Sequence, residues 1–194
     1  PVNEAVERAH REGVLRTASL MVAAPAVADA VERARRLPGL HVGLHLVLVS
    51  GRAALPPPRI PLLVDAAGRF TGDQARAGIR YFFTPGIRAQ LEAEVRAQFA
   101  AFAATGLRLD HVNAHRHMHV HPTVFGIVLR VGRDYGSPPV RIPREPSAPW
   151  GCRSWRVWRS GRARAAGVAH NRFVLGMQDT GGMHRERVLA HLRA

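Results

Sequence analysis

Segments of helical periodicity alternate with segments of strand periodicity in the first half of the chain, and this alternation restricts the fold more than any other feature. Apolar spacing predicts helices over 4–12 and 26–37, with strands over 14–24 and 39–50. Asn3 is expected to cap the first helix. Because short connections join these segments, the pattern predicts an α/β fold with a mostly parallel sheet.

The alternation continues after a proline-rich loop over 51–61. Proline near the start of a segment and glycine after its end mark two further helices, over 84–106 and 122–136. A strand over 108–114 lies between them. The pattern is weaker in the last third, where it indicates a strand over 138–143, a helix pair over 149–167, a strand over 171–177 and a helix over 184–194.

The charge balance is strongly basic, with a net charge of +14, and every basic side chain among the 28 is arginine. Two explanations compete: binding to nucleic acid or an acidic membrane, or a coding bias toward arginine. The arginines are scattered, and residues 152–164 (CRSWRVWRSGRAR) form the one dense basic and aromatic run. The charge therefore suggests an alternative function in binding acidic partners, but it does not choose between the two explanations.

Cysteine content and hydropathy restrict the cellular compartments in which we expect this chain. Cys152 is the single cysteine, which excludes internal disulfides and cysteine-rich zinc sites. No apolar run reaches the length of about 18 residues that a membrane-spanning helix needs. These features predict a cytoplasmic protein.

The two ends of the chain carry helical patterns. A parallel α/β domain ordinarily opens with a strand, whereas this chain begins and ends in a predicted helix. We therefore expect residues 1–194 to form a single domain that lacks its first strand and one or more C-terminal strands. In such a fold those strands would lie in the centre of the sheet or close a barrel.

Nearly half of the 11 histidines lie in the segment HVNAHRHMHVHP, which covers residues 111–122. On one strand, these alternating positions would span about 33 Å at ~3.3 Å per residue, too far for a single ion. Typical strands have only about 5–6 residues, and the helix that begins near Pro122 forces a turn. We therefore expect the strand to end at residue 114 and His115–His121 to form a loop at its carboxyl end, where parallel α/β folds place their sites. His111 and His121, taken singly, are more typical of structural or helix-cap residues.

Metal binding is the chemistry that such a histidine cluster favours. Neutral imidazole is the commonest metal ligand, and two histidines can share one ion, although a working site needs a third ligand. His45 stands at the carboxyl end of the second predicted strand, as His115 does at the end of the third. His45 alone is more typical of a buried structural histidine, but its position predicts that it converges with His115 on one ion.

The two histidine motifs, in this order, resemble those of the YdjC-like carbohydrate deacetylases. The resemblance extends over nearly the whole chain and rests on the segments GLHVGLHLVLVSG and DHVNAHRHMHVHPTVFG. The form HVNAH, followed by VRIPREP, is most similar to the branch associated with hopanoid biosynthesis. Most members read Asp-Ser where this chain has Asn113 and Ala114.

The resemblance implies a distorted (β/α) barrel that binds one divalent cation, Mg²⁺ or Zn²⁺. The implied metal ligands are an aspartate and the residues that match His45 and His115, and the implied reaction is hydrolysis of the acetamide of an N-acetylated amino sugar. In the hopanoid-associated branch the implied substrate is an N-acetylglucosaminyl lipid. The family's aspartate pair has no counterpart in this chain, and the resemblance places it immediately upstream of Pro1.

The expected mechanism is metal-assisted amide hydrolysis, with a carboxylate as the base. His117 or His119 would orient the metal ligands or protonate the leaving amine. Sugar-binding roles are predicted for four residues, of which the last three fit a surface salt-bridge group equally well: Asn113, Arg141, Arg144 and Glu145.

The alternative function is a binding module for nucleic acid or a membrane surface. It rests on the net charge and on the run over 152–164, in which Trp155 and Trp158 could stack on bases. Phosphate-driven binding would fall steeply between about 50 and 200 mM salt. The sequence is also compatible with a homodimer and with peripheral contact with a membrane.

Overall fold

A computed structural model describes residues 1–143, 160–176, 179, 182 and 184–193. These residues belong to two compact units, Pro1–Pro139 and Val140–Ala194, which are described separately.

The first unit contains a parallel three-stranded sheet in the order β1–β2–β3. The strands are β1, Thr17–Leu20, β2, His41–Leu46, and β3, Leu109–Ala114. Two helices alternate with the first strands: α1, Val2–Arg11, and α2, Val27–Arg35. The predicted α/β class with a parallel sheet is therefore confirmed for this unit.

The first two strands are shorter than their apolar patterns predict. Residues 47–49 stay buried beyond the end of β2, but the backbone there leaves the sheet. Both backbone groups of Val47 are bound by the side chain of Gln98, at 2.9 Å for the N–H and 2.8 Å for the carbonyl. The apolar run thus marks burial accurately, whereas the strand ends where a helix side chain replaces a neighbouring strand.

The cap predicted at Asn3 is wrong, because α1 begins one residue before it and has Pro1 at its N-cap. Asn3 lies inside the first turn and donates from Nδ2 to the carbonyl of Ala26 at 3.1 Å and to Asp29 Oδ2 at 2.7 Å. An ion pair between Glu7 and Arg33, at 2.7 Å, joins the same two helices. Asn3 therefore connects α1 to α2.

Two helices follow the proline-rich loop, which contains a short 3₁₀ turn at Pro57–Arg59. The sequence pattern missed α3, Gln74–Phe83, whose N-cap Asp73 accepts from the N–H of Arg76. The next helix, α4, covers Ile87–Ala104 and lies within the predicted 84–106. It begins after Gly86, whose positive φ of 75° suits glycine.

The core of the first unit contains the faces of α4 and α5, Pro122–Arg133, which pack against each other. The apolar side chains of these helices with no exposed surface are Ile87, Leu91, Val95, Phe99, Val124, Phe125 and Val131. The predicted helix over 122–136 is confirmed, with its proline start at Pro122. Helix α4 also packs against β2, and α5 packs against the turn between β3 and α5.

The second unit contains helical residues at 160–165 and the helix α6, Arg185–Arg193, which confirms the predicted last helix. In place of the strands predicted over 138–143 and 171–177, its described residues show a single parallel bridge between Val140 and His170. Asn171 stabilises this bridge by bonding both backbone groups of Ile142, at 2.7 and 2.9 Å. Within the described ranges, no helix is long and apolar enough to cross a membrane.

Candidate metal-binding site

The two predicted metal ligands lie together at the carboxyl edge of the sheet. His45 is on β2, and His115 is the first residue after β3. The centroids of the two imidazole rings are 5.8 Å apart, with an angle of 72° between the ring planes. Parallel strands bring their carboxyl ends to the same edge, which is why residues far apart in sequence meet here.

The buried amide of Asn113 forms a hydrogen bond with one ring nitrogen of His45. Asn113 is the register partner of His45 on β3 and is 1% exposed. The Nδ1 atom of His45 lies 2.5 Å from Oδ1 of Asn113. Since an amide oxygen only accepts hydrogen bonds, Nδ1 carries the proton and Nε2 keeps its lone pair. His45 therefore presents the form of imidazole that binds a metal ion.

The surroundings of His115 shift its pKa in favour of the neutral form that metal binding requires. Burial lowers the pKa of His115 below its ordinary value, and the neighbouring Arg116 charge acts in the same direction. A neutral imidazole has one lone pair to offer to an ion. Both imidazoles are therefore suited to bind an ion, His115 by its lowered pKa and His45 by its bond to Asn113.

A left-handed turn separates His115 from the remaining histidines. Arg116 and His117 have positive φ values of 47° and 56°, a conformation that costs non-glycine residues about 1–2 kcal/mol each. The turn is held from outside, because Gln74 Nε2 donates to the carbonyl of Arg116 at 2.9 Å and Arg116 donates to the carbonyl of Gly72 at 3.2 Å. The strand therefore ends at Ala114, as the sequence predicts.

His117 and His119 follow within the 3₁₀ turn His115–Val120, with their ring centroids 6.3 Å apart. His119 has no exposed surface, whereas His117 is half-buried. A fully buried imidazole is suited to orienting its neighbours, and a half-buried one can also reach a substrate. The catalytic roles assigned to these two residues stay predictions.

His121 belongs to the start of α5, as expected, and forms its N-cap. Its ring contacts Tyr81 and Phe82 edge-on, at 6.3 and 6.2 Å between centroids. Burial lowers the pKa of His121 below its ordinary value. His121 is therefore a packing residue of this turn.

The sequence pattern missed a polar group on β1 that joins the site. Ser19 Oγ lies 2.8 Å from Nδ2 of Asn113 and 2.9 Å from Nε2 of His111. The other nitrogen of His111 lies 2.9 Å from Oδ2 of Asp110. His111 is thus bonded on both nitrogens, in keeping with the structural role expected for it. In the sequence, the signal for this group is the serine at position 19, on the strand that precedes the strand of Gly43 and His45.

The described residues contain both of the predicted metal ligands, His45 and His115. Within this part of the chain, no group of three or more histidine, cysteine or acidic side chains is arranged to hold an ion. Two neutral imidazoles fit zinc and other divalent ions as part of a ligand set. The remaining positions would need water, substrate or a carboxylate from elsewhere.

The other predicted substrate residues belong to the second unit or lie outside the described residues. Arg141 belongs to the second unit, where burial lowers the pKa of its guanidinium. Arg144 and Glu145 lie outside the described residues, as do Trp155 and Trp158. Asn113 is at the site, but both ends of its amide are bonded to protein groups. The sugar-binding roles of all four residues stay predictions.

Comparison with known families gives a match over the whole chain. The sequence profile described as "YdjC-like protein" matches residues 1–194. Among curated proteins, a carbohydrate deacetylase from Brevibacillus brevis is 39% identical over 142 residues, which cover 73% of this chain and 54% of the relative. A carbohydrate deacetylase from Geobacillus stearothermophilus is 36% identical over 151 residues, which cover 76% and 58%.

A carbohydrate deacetylase from Vibrio vulnificus is similar as well, 36% identical over 78% of this chain and 58% of the relative. The chain thus spans little more than half the length of these relatives. Among solved structures, a crystal structure of an Enterococcus faecalis protein proposed to cleave cellobiose-phosphate superimposes with a TM-score of 0.80. That match covers 99% of this chain and 69% of the other at 24% identity, and it describes the fold.

Proposed function

Because the chain belongs to the YdjC-like family, we propose that the complete protein is a metal-dependent hydrolase that removes the acetyl group from an N-acetylated amino sugar. The names of the curated relatives support deacetylation of a carbohydrate. The observation that carries the metal-dependent mechanism is the pairing of His45 with His115 at 5.8 Å between ring centroids. Both rings lie at the sheet edge where α/β enzymes place their chemistry.

His45 and His115 would hold one divalent ion, Mg²⁺ or Zn²⁺, through neutral imidazole nitrogens. Such an ion polarises the acetyl carbonyl and lowers the pKa of a bound water. The half-buried His117 would give a proton to the leaving amine, and the fully buried His119 would orient its neighbours. The resemblance assigns the third ligand and the general base to an aspartate pair that has no counterpart in residues 1–194.

The substrate proposal is an N-acetylglucosaminyl lipid of the hopanoid type. It rests on the segment HVNAH followed by VRIPREP, which resembles the hopanoid-associated branch. Peripheral contact with a membrane would suit such a substrate, and the single cysteine suits the cytoplasm. For the complete domain we propose the distorted (β/α) barrel that the resemblance implies.

The test is the variant His115→Ala in the full-length protein. We expect it to lose bound metal, measured by elemental analysis, and to lose acetate release from an N-acetylglucosaminyl lipid, because one of the two nitrogen donors is removed. The matched control is His184→Ala, which changes an exposed histidine of the second unit. It should keep both properties.

Two results would contradict the proposal. The first is acetate release by His115→Ala at the rate of the unchanged protein. The second is acetate release by the unchanged protein at the same rate after exhaustive chelation, because the mechanism requires the ion.

A further inference from the structure

A continuous line of hydrogen bonds crosses all three strands and ends on His45. From His45 Nδ1 it passes to Asn113 Oδ1 at 2.5 Å, and from Asn113 Nδ2 to Ser19 Oγ at 2.8 Å. From Ser19 Oγ it continues to His111 Nε2 at 2.9 Å, and from His111 Nδ1 to Asp110 Oδ2 at 2.9 Å. This Asp110–His45 chain joins a carboxylate to a predicted metal ligand.

The carboxylate of Asp110 sets the direction of every bond in the chain. A carboxylate only accepts, so Nδ1 of His111 carries its proton and Nε2 of a neutral His111 accepts from the hydroxyl of Ser19. Ser19 Oγ then accepts from the amide nitrogen of Asn113, whose oxygen accepts from His45. The reverse direction would place Nδ1 of a neutral His111 and the Asp110 carboxylate face to face as two acceptors.

A glycine on β2 leaves the space that the Asp110–His45 chain of hydrogen bonds needs. Ser19 pairs with Gly43 across β1 and β2, and the His111 ring lies over that glycine. A Cβ atom at residue 43 would lie 2.5 Å from Cε1, Nε2 and the carbonyl oxygen of His111. Real Cβ contacts are not that short, so only glycine leaves room for the imidazole to reach Ser19.

We propose that Asn113 is a positioning residue, which holds His45 as the tautomer protonated on Nδ1 and directs Nε2 to the metal ion. The proposal rests on the function proposed above and departs from the substrate-binding role predicted for Asn113. At 1% exposure, with one bond at each end of the amide, the Asn113 side chain is directed at protein groups and holds His45. Ser19, His111 and Asp110 support it by fixing the orientation of the amide.

Removing the hydrogen bond between Asn113 and His45 should have a measurable effect on metal affinity. Hydrogen bonds to metal-ligating histidines fix ring orientation and tautomer, and their loss typically lowers metal affinity about 10- to 100-fold. The neutral tautomer in water is a mixture, so the free protein should also report the loss without any metal present.

The experiment compares Asn113→Leu and Asn113→Asp with the unchanged full-length protein. Nitrogen NMR of His45 in the metal-free protein should show Nδ1–H in the unchanged protein and in Asn113→Asp, whose carboxylate still accepts. Asn113→Leu should show a tautomer mixture and bind zinc about 10- to 100-fold more weakly in a calorimetric titration. Ser19→Ala, which leaves the His45–Asn113 bond in place, should lose less affinity than Asn113→Leu.

An unchanged His45 tautomer in Asn113→Leu, or an unchanged zinc affinity, would overturn the positioning role. If Asn113→Leu does not fold, equal zinc affinities for the unchanged protein, Ser19→Ala and Asn113→Asp, with a mixed tautomer in all three, would overturn it. A different result would contradict the function proposed above while leaving the positioning role intact. A protein with Nδ1–H on His45 and tight zinc binding that releases no acetate would support the positioning role and contradict the deacetylase.

Discussion

The buried side chain of Gln98 on α4 binds the backbone where β2 ends. It is 1% exposed and makes three hydrogen bonds, one from the N–H of Val47, one to the carbonyl of Val47 and one to Oε1 of Glu94. Val47 comes immediately after β2 and two residues after His45. Gln98 thus holds the backbone at the point where the candidate site begins.

The variant Gln98→Met removes these bonds while keeping the length of the side chain, so the volume change is small. Val47 would keep two buried backbone groups without partners, each at a cost of about 1–3 kcal/mol. Their sum predicts a loss of about 2–6 kcal/mol in the free energy of unfolding. Glu94, which also accepts from the N–H groups of Ala54 and Leu55, would lose one of its donors as well.

Urea unfolding followed by circular dichroism measures this loss. The matched control is Gln90→Met on the same helix, because Gln90 accepts one bond, from the N–H of Leu62 at 2.8 Å, in a half-buried position. The control should lose about 1 kcal/mol. Equal losses for Gln98→Met and Gln90→Met would refute the reasoning that the paired backbone groups of Val47 set the cost.

Two further predictions concern the turn and the sheet. Gly43→Ala should lower the free energy of unfolding by about 1–3 kcal/mol and weaken zinc binding, because its Cβ would displace the His111 ring; unchanged stability in urea would contradict this. Burial lowers the pKa of His121, so the unfolded chain takes up its proton first, and stability should fall as the pH drops through about 6.5. His121→Gln should have a shallower stability slope there than the unchanged protein, measured by thermal unfolding from pH 5 to 8, and an identical slope would contradict the assignment.

Local sequence patterns predicted the elements whose signals are themselves local. The proline at the start of α5 and the glycine after α4 mark real helix ends, at Pro122 and before Gly106. The helix α3 was missed although Asp73 offered a cap signal, because Gly78 and the aromatic residues at its end obscure the helical pattern. Strand lengths were overestimated, since an apolar run reports burial and not the presence of a neighbouring strand.

The amino-acid sequence by itself determined that His45 and His115 end neighbouring parallel strands, because the order of strands and helices sends their carboxyl ends to one edge. It also determined that the strand ends at residue 114, since a helix begins at Pro122 and typical strands have only about 5–6 residues. Only the tertiary structure decided the partners of the row: Asn113 with His45, and His111 with Ser19. These pairs are 68 and 92 positions apart, and cross-strand register is a property of the assembled sheet that no local pattern encodes.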